Sequence, residues 1–448
     1  MRAEPRTGWA AEVGPTVRLA WPVVVAELGW MAMGLVDILM VGHLGAEAIG
    51  AVGLGNALFM GVTIGGIGLL FGLDTVVSQA FGAGRIDRCH RALVQGVYVA
   101  LALSPPLMVA VRMGGGRLGG WGVDPGVART AAPYLAAVSW SVPALLLHTA
   151  CRRYLQALGA TRPVMASLFA ANAVNLAANW VLVYGHLGVR ALGVEGSGWA
   201  TTLARCGMAL MLAGAVPRHD RGGATGLTRT PLGPDWALLR SLLALGGPAA
   251  GQLILEVGVF AAATVLAGRL GAVALAAHEV ALNVCGLMFM VPLGISAAGA
   301  VRVGQAMGRG DPGGPARAGW AALGLGMAFT TGSALVLTLL PRAILGAFTG
   351  ESAVIAIGVP LLGLAAMFQL FDGLQVVATG VLRGAGDTRT PMVVGLAAHW
   401  AIGLPIAVFL AFPAGRGLFG LWIGLSTGLI VAGLVLLAVW TRWARSQD

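Results

Sequence analysis

Six acidic side chains interrupt otherwise apolar runs: Glu27, Asp37, Asp74, Glu256, Glu279 and Asp372. A charge at the centre of a bilayer costs about 2.5–3.5 kcal/mol on insertion scales, so such a group faces a cavity, pairs, or stays protonated. Asp37, Glu256 and Asp372 lie deepest in their runs. Asp74 lies near the end of one and reads as a solvated terminus. Only one base, Arg205, sits clearly inside a run. The remaining acids are therefore expected to be unpaired, able to take up and release protons or to hold a small cation. Asn175 and Asn179 are four apart and share one helix face, where they line a cavity with Asp37 or hydrogen-bond between helices. His399 lies mid-run and reads as a satisfied interior histidine, with a proton relay as the alternative. Met31, Met33, Met288 and Met290 read as core filling.

Enzyme chemistry has no footing. There is no GxSxG elbow and no HExxH helix, and the chain contains no lysine, which removes any Walker A motif. Transport driven by ATP on this chain alone is excluded, so energy must come from an ion gradient or a partner. Gly114-x-Gly116-x-x-Gly119 matches a dinucleotide fingerprint but follows no strand. The four cysteines form no CxxC pair, and no cofactor is expected beyond a coupling ion, Na⁺ or H⁺.

The elements that must position these residues follow from composition. Of 448 residues, 57% are hydrophobic and 10% charged, against roughly 45–50% and 25% in soluble chains. A spanning helix needs about 20 apolar residues. Twelve are predicted, near 17–41, 48–80, 93–112, 127–152, 163–185, 195–216, 240–268, 272–306, 316–339, 353–382, 391–412 and 417–441. With the N-terminus inside, 20 arginines fall on inside segments and 7 on outside loops. That bias predicts both termini to be cytoplasmic. No soluble basic face exists, so the net charge of +10 does not point to nucleic acid.

The polar stretch 217–236 divides two similar halves, giving an N-lobe over 1–216, a linker, and a C-lobe over 237–448. LGAEA at 44–48 matches LGAVA at 270–274, an offset of 226; Pro22 meets Pro248, and Gln79-Ala80 with Gly82 and Gly84 meets Gln305-Ala306 with Gly308 and Gly310, at the same offset. Six spans per half makes these parallel repeats, the build of transporters that bind substrate between halves.

The chain resembles the MATE family (multidrug and toxic compound extrusion), in its NorM-like branch. The resemblance rests on Val36-Asp37 with Met40-Val41-Gly42-His43-Leu44-Gly45, on Gln79-Ala80-Phe81-Gly82-Ala83-Gly84, on LEVGVFAA at 255–262, LGAVALAAHEVALN at 270–283 and VPLGISAA at 291–298, and most strongly on FQLFDGLQVVATGVLRGAGDTRTPM at 368–392. It implies an all-α membrane protein of two six-helix lobes around a V-shaped central cavity. It implies export of cationic or amphipathic compounds in exchange for Na⁺ or H⁺ by alternating access, from the cytoplasmic (inner) membrane and as a monomer. By resemblance, Asp37 with Asn175, Asn179 and Thr201 is the N-lobe cation or proton site, and Glu256 and Asp372 are the C-lobe acidic pair, where Na⁺ could bind. Three positions depart from the family's usual pattern: Glu279 stands where relatives often carry Gln, Glu27 where they often carry a neutral residue, and Asn179 where some carry Asp. Glu27 and Glu279 are thus expected to add negative charge near the cavity. A flippase for a lipid-linked precursor is the alternative function; it would call for a cationic cavity, which these acids oppose.

Overall fold

The computed structural model describes residues 9–220 and 226–447 and is helical almost throughout. In chain order the helices are α1 (Trp9–Gly42), α2 (Ala46–Leu69), α3 (Gly72–Gly82), α4 (Ile86–Arg117), α5 (Pro125–Ser139), α6 (Val142–Ala157), α7 (Arg162–Tyr184), α8 (Val194–Arg218), α9 (Trp236–Arg269), α10 (Ala272–Arg309), α11 (Gly314–Leu339), α12 (Pro341–Phe348), α13 (Ser352–Ala385), α14 (Arg389–Gly395), α15 (Leu404–Ala411) and α16 (Gly417–Arg445). Eleven helical stretches are long and apolar enough to span a membrane, and the bent pair α5 and α6 makes a twelfth. The chain is thus a multi-pass membrane protein. Large apolar side chains such as Leu39, Phe169 and Leu210 stay exposed on the helices, as lipid-facing surfaces require.

Four of the expected helices are modified in physically traceable ways. The helix predicted over 48–80 breaks at Leu70-Phe71 into α2 and α3. The one predicted over 127–152 bends by 48° between α5 and α6, where Pro143 at the start of α6 lacks an amide donor. The short helix α12 precedes the predicted start at 353. Between α14 and α15, Leu396–Gly403 winds as a π-helix, a local widening often found at functional sites. Gly114 packs against Leu58 and its neighbour Gly115 against Leu135, inside α4 and with no strand before them, so the run lacks the strand–turn–helix context of a dinucleotide site.

Two compact units form, Val25–Ala250 on one side and Met1–Val24 with Gly251–Asp448 on the other. The first is here the N-unit and the second the C-unit. Both changes of unit fall inside a long helix, two residues beyond Pro22 and Pro248 respectively. Each unit thereby owns the first part of the other half's leading helix. The internal repeat is visible in that packing. In the N-unit, a Cβ on Gly68 would lie 2.5 Å from the Ala250 Cα; in the C-unit, a Cβ on Gly294 would lie 2.9 Å from the Val24 Cα. Only glycine permits such an approach of two backbones. The matched motif LGA has the same cause in both halves: Gly45 and Gly271 adopt φ of +109° and +107°, a conformation that favours glycine, where α1 turns into α2 and α9 into α10.

Candidate functional site

In the N-unit, α1, α7 and α8 converge on one carboxylate. Asp37 is buried, and Asn175 Nδ2 and Asn179 Nδ2 each donate to its Oδ1 at 2.9 Å. Thr201 Oγ1 donates to Oδ2 at 2.7 Å. The four-residue spacing of the asparagines is what lets both reach the same oxygen from one face of α7. The amides donate with their nitrogens, which leaves Asn175 Oδ1 and Asn179 Oδ1 buried without partners.

The other two N-unit acids are paired, contrary to the expectation that Arg205 is the only intramembrane base. Arg152 bonds Glu27, and Arg153 Nη1 reaches Asp74 Oδ2 at 3.3 Å. Both arginines are buried on the last turns of α6. Counted with the inside loop, they looked solvated; the helix in fact carries them inward, where acids meet them. Asp74 is correspondingly buried and is no solvated terminus. Glu27 adds no uncompensated charge, because Arg152 neutralises it.

The C-unit is built differently. Glu256 on α9 and Asp372 on α13 lie on two helices that touch at either side of them. Gln252, one turn before Glu256, donates to Thr379 Oγ1 on α13 at 3.3 Å. On the other side Phe260 and Phe368 meet edge to face, with centroids 6.0 Å apart. Along their helices the two acids lie between these contacts. Among the described residues, neither carboxylate accepts a side-chain hydrogen bond or forms an ion pair, and nor does that of Glu279 on α10, whose backbone carbonyl accepts from Asn283 Nδ2. Gln369, three residues before Asp372, is buried with both amide atoms unpartnered, and so is Gln375 Oε1 three residues after it. Trp400 Nε1, in the π-helical segment, donates to the Leu255 carbonyl beside Glu256 at 2.9 Å. His399 precedes it, buried, with Nε2 unpartnered, so it is not the fully satisfied histidine expected. That description fits His278, which the sequence reading passed over: its Nε2 lies 3.1 Å from Thr264 Oγ1, and its Nδ1 accepts from Trp422 Nε1 at 3.0 Å.

Gln252, Gln369 and Gln375 were also missed. Their signal was available as helical spacing of three or four from Glu256 and Asp372. Among the described residues no three His, Cys, Asp or Glu side chains converge as a metal centre.

The comparisons agree with this architecture. The MatE family model matches the chain twice, over residues 22–181 and 248–409. The two matches begin 226 residues apart, which is the offset of the internal repeat. A "Probable multidrug resistance protein NorM" of Mesorhizobium japonicum is 37% identical, with 98% of this chain and 95% of that protein covered. One of the same description from Bradyrhizobium diazoefficiens is 38% identical, covering 97% and 94%. Among solved structures, the eukaryotic MATE transporter AtDTX14 aligns with a TM-score of 0.87 at 22% identity, over 98% of this chain and 99% of that one. An outward-facing multidrug resistance MATE family transporter of the MOP superfamily aligns with a TM-score of 0.88 at 18% identity, covering 99% and 97%. These likenesses confirm the fold, including its two-lobed build. Matched by the family model over most of its length and closely related to NorM proteins end to end, the chain belongs to the MatE family.

Proposed function

We propose that the protein is a secondary active exporter of cationic or amphipathic compounds, driven by inward movement of Na⁺ or H⁺. It works by alternating access in the cytoplasmic membrane with both termini inside. The relatives' description as multidrug resistance proteins supports the substrate class. The observation that carries the mechanism is the pair Glu256 and Asp372, two acids inside apolar spans with neither donor nor counter-ion among the described residues. An unpaired charge inside an apolar span is expensive, so such a pair gains by taking up a cation. Substrate cation and coupling ion compete for it. An ion entering from outside neutralises the pair and releases the substrate. When the ion leaves to the cytoplasm, the pair is free for the next substrate. The unpartnered amide of Gln369 and the Oε1 of Gln375 supply neutral oxygen and nitrogen contacts beside it, the mixture a pocket for varied amphipathic cations needs.

Asp372→Asn tests this. In a host sensitised to cationic compounds, the variant is expected to lose resistance while its amount in the membrane and its melting temperature stay near wild type. Full resistance in that variant would contradict the assignment of exchange to this pair.

A further inference from the structure

The polar stretch that joins the two halves is held against α4. Buried Gln95 donates through Nε2 to the Gly233 carbonyl at 3.2 Å, and its Oε1 accepts from the Asp235 amide at 3.1 Å. Tyr98 donates its hydroxyl to the Leu232 carbonyl. At the start of the stretch, Asp220 Oδ1 lies 3.2 Å from His90 Nε2, and Asp220 Oδ2 accepts from the Leu227 amide at 2.8 Å. Residues 232–236 are thus strapped to α4 by their backbone. Their large side chains are left outside: Leu232 is 70% and Trp236 76% exposed.

The face of α4 that carries Tyr98 continues as an apolar one. Tyr98, Leu101, Pro105, Val109 and Met113 are exposed at helical spacing, as a lipid-facing stripe requires. The 35-residue span Ile86–Gly120 is about 52 Å long against a hydrocarbon core of about 30 Å. Centred on that core, it projects by about 11 Å at each end. Tyr98 then lies about 18 Å along the span, just inside the core, and Arg91 about 8 Å along it, in the headgroup layer. Arg91 shares the Tyr98 face two turns earlier. Arg229 precedes Leu232 by three residues, and Arg240 follows Trp236 by one turn on the same face of α9. All three arginines are exposed, and among the described residues none forms an ion pair. The neighbouring acids Asp87, Asp220 and Asp235 all have partners within the protein.

We infer that residues 232–236 form an interfacial anchor and, with Arg91, Arg229 and Arg240, a site for an anionic phospholipid. Leu232 and Trp236 enter the boundary between headgroups and acyl chains, where tryptophan is favoured. The arginines meet the headgroup phosphate, as basic clusters at the cytoplasmic face do. Water around this segment would leave two large apolar side chains unburied. A lipid without net charge would leave the three arginines unanswered. The hydrogen bonds from Gln95 and Tyr98 satisfy the strap's backbone, which is what permits an irregular segment to lie at this depth. The linker is therefore a fixed attachment of the N-unit to the membrane surface, and α9 begins from it. The site goes beyond the exporter reading and does not rest on it.

The test uses purified full-length protein in phosphatidylcholine vesicles. Of the cysteines only Cys206 is not buried, so Cys206→Ala is the background, and a bimane label is attached through Leu232→Cys or Trp236→Cys. Iodide quenches a label in water; a phospholipid spin-labelled near the top of its acyl chain quenches one at the interface. Both labels are expected to be quenched by the lipid and little by iodide. Spin-labelled phosphatidylglycerol should quench several-fold more than spin-labelled phosphatidylcholine at equal mole fraction, and Arg229→Gln/Arg240→Gln should remove that preference. A second measurement needs no label. In detergent, added phosphatidylglycerol should raise the melting temperature of wild type more than that of Arg91→Gln/Arg229→Gln/Arg240→Gln. Quenching by iodide alone, or equal quenching by the two lipids, would overturn the inference. So would shielding from both quenchers, the result of a second copy of the chain seated on this face. Should the labelled variants fail to fold, equal melting shifts for wild type and the triple variant would overturn it.

Discussion

At the scale of single residues, most of the candidate site was legible because intramembrane polarity is rare and helix spacing is regular. Asp37, Asn175, Asn179 and Thr201 do meet, and the four-residue step on α7 explains why two asparagines can share one carboxylate oxygen. What could not be read was pairing between distant helices. Arg152 and Arg153 follow an apolar run and look like loop residues; only the packing of α6 against α1 and α3 brings them to Glu27 and Asp74. Two predictions belong here. Glu27→Gln strands a buried guanidinium and should cost about 3–5 kcal/mol, most of it regained when Arg152 is also replaced by Met. Melting temperatures of the single and double variants in detergent measure this, and an undiminished single variant would contradict the ion pair. Thr201→Val removes one of three donors from Asp37 and should cost about 1–3 kcal/mol. Chemical denaturation followed by tryptophan fluorescence provides that number, and a stability equal to wild type would mean that Asp37 finds another donor.

At the scale of elements, the count of spans and their approximate limits followed from apolar run length. Their interruptions did not. The break between α2 and α3 is set by tertiary contact: a Cβ on Gly246 of α9 would lie 1.9 Å from the Leu69 carbonyl oxygen, so α9 packs directly on the break. Hydropathy carries no trace of such an approach. The π-helical turn at Leu396–Gly403 also depends on a neighbour, since Gly428 of α16 admits the Ala398 carbonyl at 2.9 Å from where its Cβ would stand. Gly246→Ala is therefore expected to destabilise the N-unit by at least about 1–3 kcal/mol, the usual range for overpacking. Gly247→Ala, whose Cβ would meet nothing within 4 Å, should cost far less. The melting temperatures of the two variants compare these neighbours directly, and equal values would contradict the close approach of α9 to Leu69.

At the scale of the whole molecule, one duplicated plan carries two different charge arrangements. The repeat is legible as an offset of 226 in the sequence, returns as paired glycine contacts, Gly68 with Ala250 and Gly294 with Val24, and returns again in the spacing of the two family matches. Compensation of the acids differs between the halves: Glu27 and Asp74 of the N-unit each have an arginine partner, while among the described residues Glu256 and Asp372 of the C-unit have none. An antiporter needs at least one site where an ion and a cationic substrate are alternatives, and an uncompensated acidic pair provides one. The most direct test is accumulation of a cationic dye such as ethidium in everted membrane vesicles, with Na⁺ trapped inside or the lumen acidified, each gradient imposed separately. Wild type is expected to accumulate dye under one of the two gradients, which identifies the coupling ion, and Asp372→Asn under neither. Dye accumulation by Asp372→Asn at the wild-type rate, or none by folded wild type under either gradient, would contradict cation exchange at the C-unit pair.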